Sequence, residues 1–221
     1  MGSTPPAGGV LWDLDGTLID SGEQHYAAWR DALAARGREH PREEFARLFG
    51  RRNDVILRKI FGDDLSAREA ARVADDKEER YRRLVRRNGL EPLPGVMDWL
   101  HRLKERRFRQ ALATMAPAAN VAVVIEVLDL VSLIDATAAA EDVVHGKPDP
   151  AIFLEAARRI GVPAERCVVM EDAPAGLEGA RRAGMRSVGI VSNHHRELQA
   201  DIVVPSLTAL PAGAIEGLLG P

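Results

Sequence analysis

Asp13 and Asp15 stand two residues apart at the end of an apolar run, Val10-Leu11-Trp12, with Gly16 directly after them. Residues two apart on an extended chain point to the same side. The spacing therefore predicts both carboxylates together at the C-terminal end of a buried strand. In open α/β sheets that edge is where ligands bind. Two carboxylates held so close call for a cation or a shared proton. An all-oxygen pair suits Mg²⁺, which takes a few carboxylates together with water and substrate phosphate. An aspartate beside such an ion is also a competent nucleophile and can form an aspartyl-phosphate. The competing reading is a pair of solvated aspartates in a tight turn. It fits poorly with the apolar approach, because burying the path to a doubly charged turn needs compensation.

Three further places could complete such a site. Thr114 ends the run Gln110-Ala111-Leu112-Ala113. Its hydroxyl and the Met115 amide after it can donate to a phosphate oxygen, or the hydroxyl can cap the next helix. Lys147 lies in His145-Gly146-Lys147-Pro148-Asp149-Pro150, where glycine and proline fix a loop and aim one cation. Such a lysine can hold the charge of a transferring group, or it can be an ordinary surface lysine. Glu171-Asp172 closes the run Cys167-Val168-Val169-Met170 and repeats the pattern of Asp13, an apolar stretch ending in acid. Gly176 and a helical stretch to Gly184 follow.

The elements that must position these residues alternate. Strand-like runs at 110–114, 136–140, 167–170, 187–191 and 201–204 are separated by helical stretches at 96–103, 121–130, 151–160 and 175–183, with a weak last helix at 207–219. Strand–helix alternation predicts a parallel sheet with helices on both sides. Directly after the first strand, residues 19–89 interrupt it with helical spacing among many charges: Tyr26, Trp29 and Leu33 on one helix, Phe45 and Leu48-Phe49 on a second ended by Gly50, and Val55 to Ile60 on a third. A longer stretch from Ala67 to Val85 ends in Arg80, Arg82, Arg83, Arg86 and Arg87, read as a solvated face matched to the helix dipole. The expected organisation is an α/β core of 1–18 and 90–221 with an inserted helical cap of 19–89.

Composition narrows the classes. The chain has 221 residues, enough for a full core, and 46% hydrophobic with 29% charged residues is ordinary for a globular protein. A net charge of −3 argues against a broad nucleic-acid surface, and no apolar stretch approaches membrane-spanning length. The one cysteine, Cys167, forbids an internal disulfide, suits a small core position, and points to a reducing, cytoplasmic setting. Residues 1–8 carry neither a secretion signal nor a myristoylation motif and read as a frayed tail.

Taken together, Asp13-Leu14-Asp15-Gly16-Thr17-Leu18, Thr114, Gly146-Lys147-Pro148-Asp149-Pro150 and Glu171-Asp172-Ala173-Pro174-Ala175-Gly176 resemble the four motifs of the haloacid dehalogenase-like superfamily, in order. The resemblance implies a Rossmann-like parallel core and Mg²⁺-dependent phosphoryl chemistry on a small phosphorylated metabolite, such as a sugar phosphate. It implies Asp13 as nucleophile, Asp15 as acid and base, and Thr114 and Lys147 around the phosphoryl group. Metal ligands would come from Asp13, Asp15 and Asp172, with Glu171 acting directly or through water.

The inserted block, with His25 and with Lys77 four before Tyr81, is similar to the β-phosphoglucomutase-like subgroup. That places His25 and Lys77 near the substrate, although they also read as a partly buried helix histidine and an exposed helix lysine; Arg52 and the Met115 amide are further candidates for binding substrate. The mutase pattern departs at Asn53, where its distal-phosphate arginine aligns, at Thr17 and at Ala173. Arg52 is one place off, and one helical step turns a side chain by roughly 100°. Phosphatase activity is therefore expected ahead of a phosphomutase. A 2-haloacid dehalogenase would need neither Asp15 nor Asp172, and a non-catalytic binding protein would not need the intact set.

Overall fold

The computed structural model describes residues 6–62, 65–192 and 197–220. Strands β1 (Gly9–Trp12), β2 (Arg109–Ala113), β3 (Ala136–Ala138), β4 (Cys167–Glu171), β5 (Arg186–Ile190) and β6 (Ile202–Val204) form one parallel sheet. Their order is β3-β2-β1-β4-β5-β6. Central strands here are apolar on both sides because helices cover both faces. Val10 and Trp12 of β1 pack with helices α5 (Val96–Glu105), α6 (Ala118–Val127) and α9 (Ala214–Leu219). Leu11, between them, points to the other face, against α7 (Ala151–Ile160) and α8 (Pro174–Arg182). Val10, Leu11 and Trp12 are fully buried, and each such side chain contributes about 1.5–3 kcal/mol. The one polar side chain in β2's buried stretch is satisfied. Gln110 accepts from Trp12 Nε1 at 3.1 Å and donates to the carbonyls of Leu100 and Leu133.

Between β1 and α5 the chain forms four helices, α1 (Gly22–Ala34), α2 (Arg42–Leu48), α3 (Asn53–Phe61) and α4 (Ala67–Asn88). They share an apolar cluster of Trp29, Leu33, Phe45, Leu48, Ile56, Leu57 and Val73. Ser66 opens α4 with a capping box, its hydroxyl accepting from the Glu69 amide while Glu69 accepts from the Ser66 amide. The two connections to the sheet run side by side: Ile19 bridges Pro92, and the Leu93 amide donates to Leu18 at 2.9 Å. The insert also touches the sheet layer directly, where Ala28, Tyr81 and Val85 pack on Val123 of α6.

Several expectations change. Arg52 does not share a helix with Asn53, where α3 begins. Phe49 and Arg52 have extended ψ values of 142° and 147°, and Gly50 between them is left-handed. The expected helix over 207–219 is a 3₁₀ turn at Leu207–Ala209 and then α9, divided by Pro211 and Gly213; proline removes a helix donor and clashes with the preceding turn. The supposed tail is partly structured. The Ala7 amide donates to Arg107 and the Gly8 carbonyl accepts from Arg109, while residues 1–5 lie outside the described residues.

Candidate active site

β1 and β4 are neighbours, with Trp12 paired to Met170, so the residues just past them meet at one level. This is the place where strand order reverses, and it opens a crevice at the C-terminal edge. Asp13, Glu171 and Asp172 present oxygens all within 4.8 Å of one another there, all three buried. Lys147 reaches them from the loop before α7. Its Nζ donates to Asp13 Oδ1 and, at 2.9 Å, to Glu171 Oε2. Asp149 steadies that loop by accepting the Ala151 amide at 2.9 Å.

Gly16 makes the crowding possible. Its φ is +94°, and a methyl group on it would stand 2.3 Å from Asp172 Oδ2. Thr17, also buried, donates toward Asp172 Oδ1 at 3.5 Å. Thr114 is buried one residue beyond β2. Its oxygen accepts the Ala116 amide at 3.1 Å, which leaves its own proton free to donate into the crevice. The cap-like bond and the phosphate-donor reading thus coexist.

Burial pushes Asp13 up, Lys147 pulls it back, and the net shift is upward. Burial and the neighbouring Asp13 charge push Asp172 up to about 7. Glu171 is held well above the carboxylate range by burial and by Asp13. Burial works against the Lys147 charge, but Asp13 and Glu171 outweigh it and raise its pKa, so the ammonium persists. Among the described residues, three carboxylates face one ammonium, so ionising all three would leave two negative charges unmatched. An all-oxygen donor set short of two positive charges fits one hard divalent cation.

Asp15 does not share this cluster with its carboxylate, contrary to the two-residue spacing. The strand ends at Trp12, and beyond it the chain turns. The Asp15 side chain accepts from Ser21 Oγ, and Oδ1 lies 3.4 Å from His25 Nε2. It remains near enough for its charge to raise Asp13. Burial alone would raise Asp15, but His25 and Ser21 outweigh it and hold the group below its usual range. His25 stacks on Tyr81 with centroids 4.0 Å apart, and its Nδ1 lies 2.8 Å from Lys77 Nζ.

Lys77 is not the exposed helix lysine of one sequence reading. It is 2% exposed and donates to Glu78 at 2.8 Å. Asn53, at the position aligned with the mutase arginine, donates to the same carboxylate. Arg52, just before α3, extends to the core loop. A methyl group on Gly146 would stand 3.5 Å from Arg52 Cδ and 3.3 Å from Met115 Cε. Helical register does not turn Arg52 away from the crevice, because Arg52 is extended and lies before the helix. Ser21, Tyr81, Glu78 and Asn120 are the site neighbours that sequence reasoning missed. A glutamate directly beside Lys77 was the one available signal.

Sheet order and an acid–lysine cluster at the switch point define a Rossmann-like α/β enzyme. A family model for haloacid dehalogenase-like hydrolases matches residues 8–184, and the chain belongs to that family. It is 30% identical over 221 residues to protein CbbY of Rhodobacter capsulatus, covering 95% of this chain and 97% of that one. It is 33% identical over 182 residues to the fructose-1-phosphate phosphatase YqaB of Escherichia coli, covering 82% and 95%. Among solved structures it is similar to a CbbY variant from Rhodobacter sphaeroides in complex with xylulose-1,5-bisphosphate. There the TM-score is 0.85 at 27% identity, covering 92% of this chain and 96% of that one. It is also similar to β-phosphoglucomutase of Clostridium difficile, with TM-score 0.84 at 28% identity and 96% of both chains covered.

Proposed function

We propose that the protein is a Mg²⁺-dependent phosphatase of a small phosphorylated metabolite, foremost a sugar phosphate, acting through an aspartyl-phosphate on Asp13. The observation that carries this is the buried cluster of Asp13, Glu171 and Asp172, in which Lys147 pairs with Asp13 and Glu171. The relatives named as phosphatases support the substrate class. Asp13 and Asp172 would hold the metal, with Glu171 directly or through water, while the Asp15 carboxylate is engaged by Ser21 and His25. Bound Mg²⁺ would supply charge for the phosphoryl oxygens beside the nucleophile.

Asp13 attacks phosphorus and the ester oxygen leaves with a proton from Asp15. Asp15 rests ionised, because His25 and Ser21 favour its charge; the dianionic phosphate arriving beside it raises its proton affinity, and it takes up from solvent the proton that it then passes to the ester oxygen. Once the product has gone, the Asp15 carboxylate takes a proton from the attacking water, and phosphate is released with Asp13 restored. Lys147 and the Thr114 hydroxyl hold the transferring oxygens.

Residues 19–89 are the cap and 1–18 with 90–221 the catalytic core. Closure over the crevice excludes bulk water and selects substrate. Arg52 and Met115, either side of Gly146, line the substrate's far end, and His25 and Lys77 back the acid–base group. A cytoplasmic setting suits the single buried cysteine, and no helix among the described residues is long and apolar enough to cross a membrane.

One observation favours a second reading, a phosphomutase: Arg52 reaches across to the Gly146 loop, where a guanidinium could hold a distal phosphate. The first test is phosphate release from a panel of phosphorylated metabolites with Mg²⁺ and with chelator. Release from at least one sugar phosphate, lost with chelator, is expected; no release from any ester overturns the reading.

A further inference from the structure

Glu78 stands outside the acidic cluster, yet its carboxylate joins the two halves of the molecule. It is 6% exposed and accepts from Asn53 Nδ2 at 2.8 Å, Lys77 Nζ at 2.8 Å and Asn120 Nδ2 at 2.6 Å. Asn53, Lys77 and Glu78 belong to the cap; Asn120 lies in the first turn of α6 in the core. Arg82 of the cap donates to the Asn120 carbonyl oxygen at 3.0 Å, so the amide is gripped at both ends.

From Lys77 the contacts run on to Asp15. An ammonium only donates, so His25 Nδ1, 2.8 Å away, must accept. The ring proton is then on Nε2, the nitrogen that faces Asp15. Glu78, by holding Lys77, thereby sets the tautomer of the histidine beside the acid–base group.

The chemistry of this contact suits one that breaks and remakes. Ala28, Tyr81, Val85 and Val123 already supply an apolar contact between cap and core nearby. A hydrogen bond is worth only about 1 kcal/mol net, since water replaces the partner when the halves part. Its 2.6 Å geometry depends on how α4 sits against α6.

We propose that the Glu78–Asn120 pair is a closure latch. Docking of Asn120 on Glu78 fixes Lys77 and His25, and so readies Asp15 only when the cap is shut. Glu78 and Asn120 are positioning residues. The inference rests on the reading of Asp15 as acid–base group and of 19–89 as a cap.

The test uses the full chain in three forms: wild type, Asn120→Asp, and the double variant Glu78→Gln/Asn120→Asp. The single change sets two carboxylates against each other. The double change restores one donor and one acceptor, and Arg82 keeps its acceptor. Two readouts are taken. The first is kcat/KM on fructose 1-phosphate, whose leaving oxygen needs a proton, and on p-nitrophenyl phosphate, whose leaving group does not. Asn120→Asp should lose roughly tenfold or more on the sugar ester and less than about threefold on the aryl ester, with most of the loss recovered in the double variant. The second readout is independent of turnover. Spin labels on cysteines placed at Lys59 of α3 and Val131 of the core, both exposed, report cap position, the native Cys167 being buried. Asn120→Asp should lengthen that distance and the double variant restore it.

Equal losses on both esters, no loss, or no recovery in the double variant would overturn the latch, as would an unchanged label distance. Wild-type enzyme silent on both esters would count against the phosphatase reading instead, and the label distances alone would then decide the latch.

Discussion

At the residue scale the site is a problem of charge. Asp13, Glu171 and Asp172 share Lys147, and each of the three is pushed above the usual carboxylate range by burial and like charge. Replacing Asp13 by Asn removes the carboxylate proposed to attack phosphorus. Turnover should fall by roughly a thousandfold or more with the melting temperature close to wild type; wild-type-like phosphate release would remove the nucleophile assignment. Asp172 gives a pH signature. A carboxyl pushed up to about 7 is mostly protonated below that pH, and a metal must displace the proton to bind. Apparent Mg²⁺ affinity, measured by calorimetric titration, should therefore weaken as pH falls through about 7 and release a proton on binding. The metal-free fold should run the opposite way. Its raised pKa means the folded state holds the proton more tightly than the unfolded chain, so this group costs stability as pH rises from about 4 through 7. Affinity independent of pH in that window would show that Asp172 is not a ligand. Asp13, Lys147 and Asp172 were legible in the sequence because each follows a strand or a loop that aims it. The direction of Asp15 was not, since the rule of alternation assumes an extended chain and the strand stops at Trp12.

At the scale of elements, a strand end and the turn after it do the positioning. Gly16 lets the turn after β1 lie against Asp172, in a backbone conformation that other residues adopt at a cost. Gly16→Ala should cost about 1 kcal/mol or more in strain and contact, read as a lower urea midpoint. Because the new methyl group would meet Asp172, Mg²⁺ affinity should fall as well; stability lost with affinity intact would separate the turn from the metal site. Strand and helix placement was largely readable, α7 to the residue, since apolar runs flanked by glycine, proline and acid mark both ends. The junction between α2 and α3 was not. Gly50 marks the end of α2, but nothing local shows that Arg52 stays extended and that Asn53 begins the next helix. Nor could helical spacing show that Lys77 is buried, because α4 is charged around most of its circumference and its buried face is chosen by α1 and α6.

At the scale of the whole molecule, the insert lies where it can govern access to the crevice, on two adjacent strands of chain at Ile19 and Pro92. Pairing across this distance is invisible to local reading. The contact of Arg82 with Asn120, 38 residues away, turns one arginine of a seemingly solvated cluster into part of the contact between α4 and α6, while Arg80 and Arg83 do pair along the helix as expected. The same scale decides what becomes of the phosphoryl group on Asp13. Water must take it in a phosphatase, and a second sugar hydroxyl in a mutase. Asn53 is committed to Glu78 and Lys77 is buried beside it, while Arg52, whose Nε pairs with Asp54 at 3.2 Å, brings its stem to the Gly146 loop.

The most direct measurement supplies β-glucose 1-phosphate with Mg²⁺ and a sugar-bisphosphate primer, and follows free phosphate and glucose 6-phosphate in the same sample. Transfer to water predicts that free phosphate accumulates faster than glucose 6-phosphate and that both stop in Asp13→Asn. Glucose 6-phosphate forming much faster than free phosphate would contradict it.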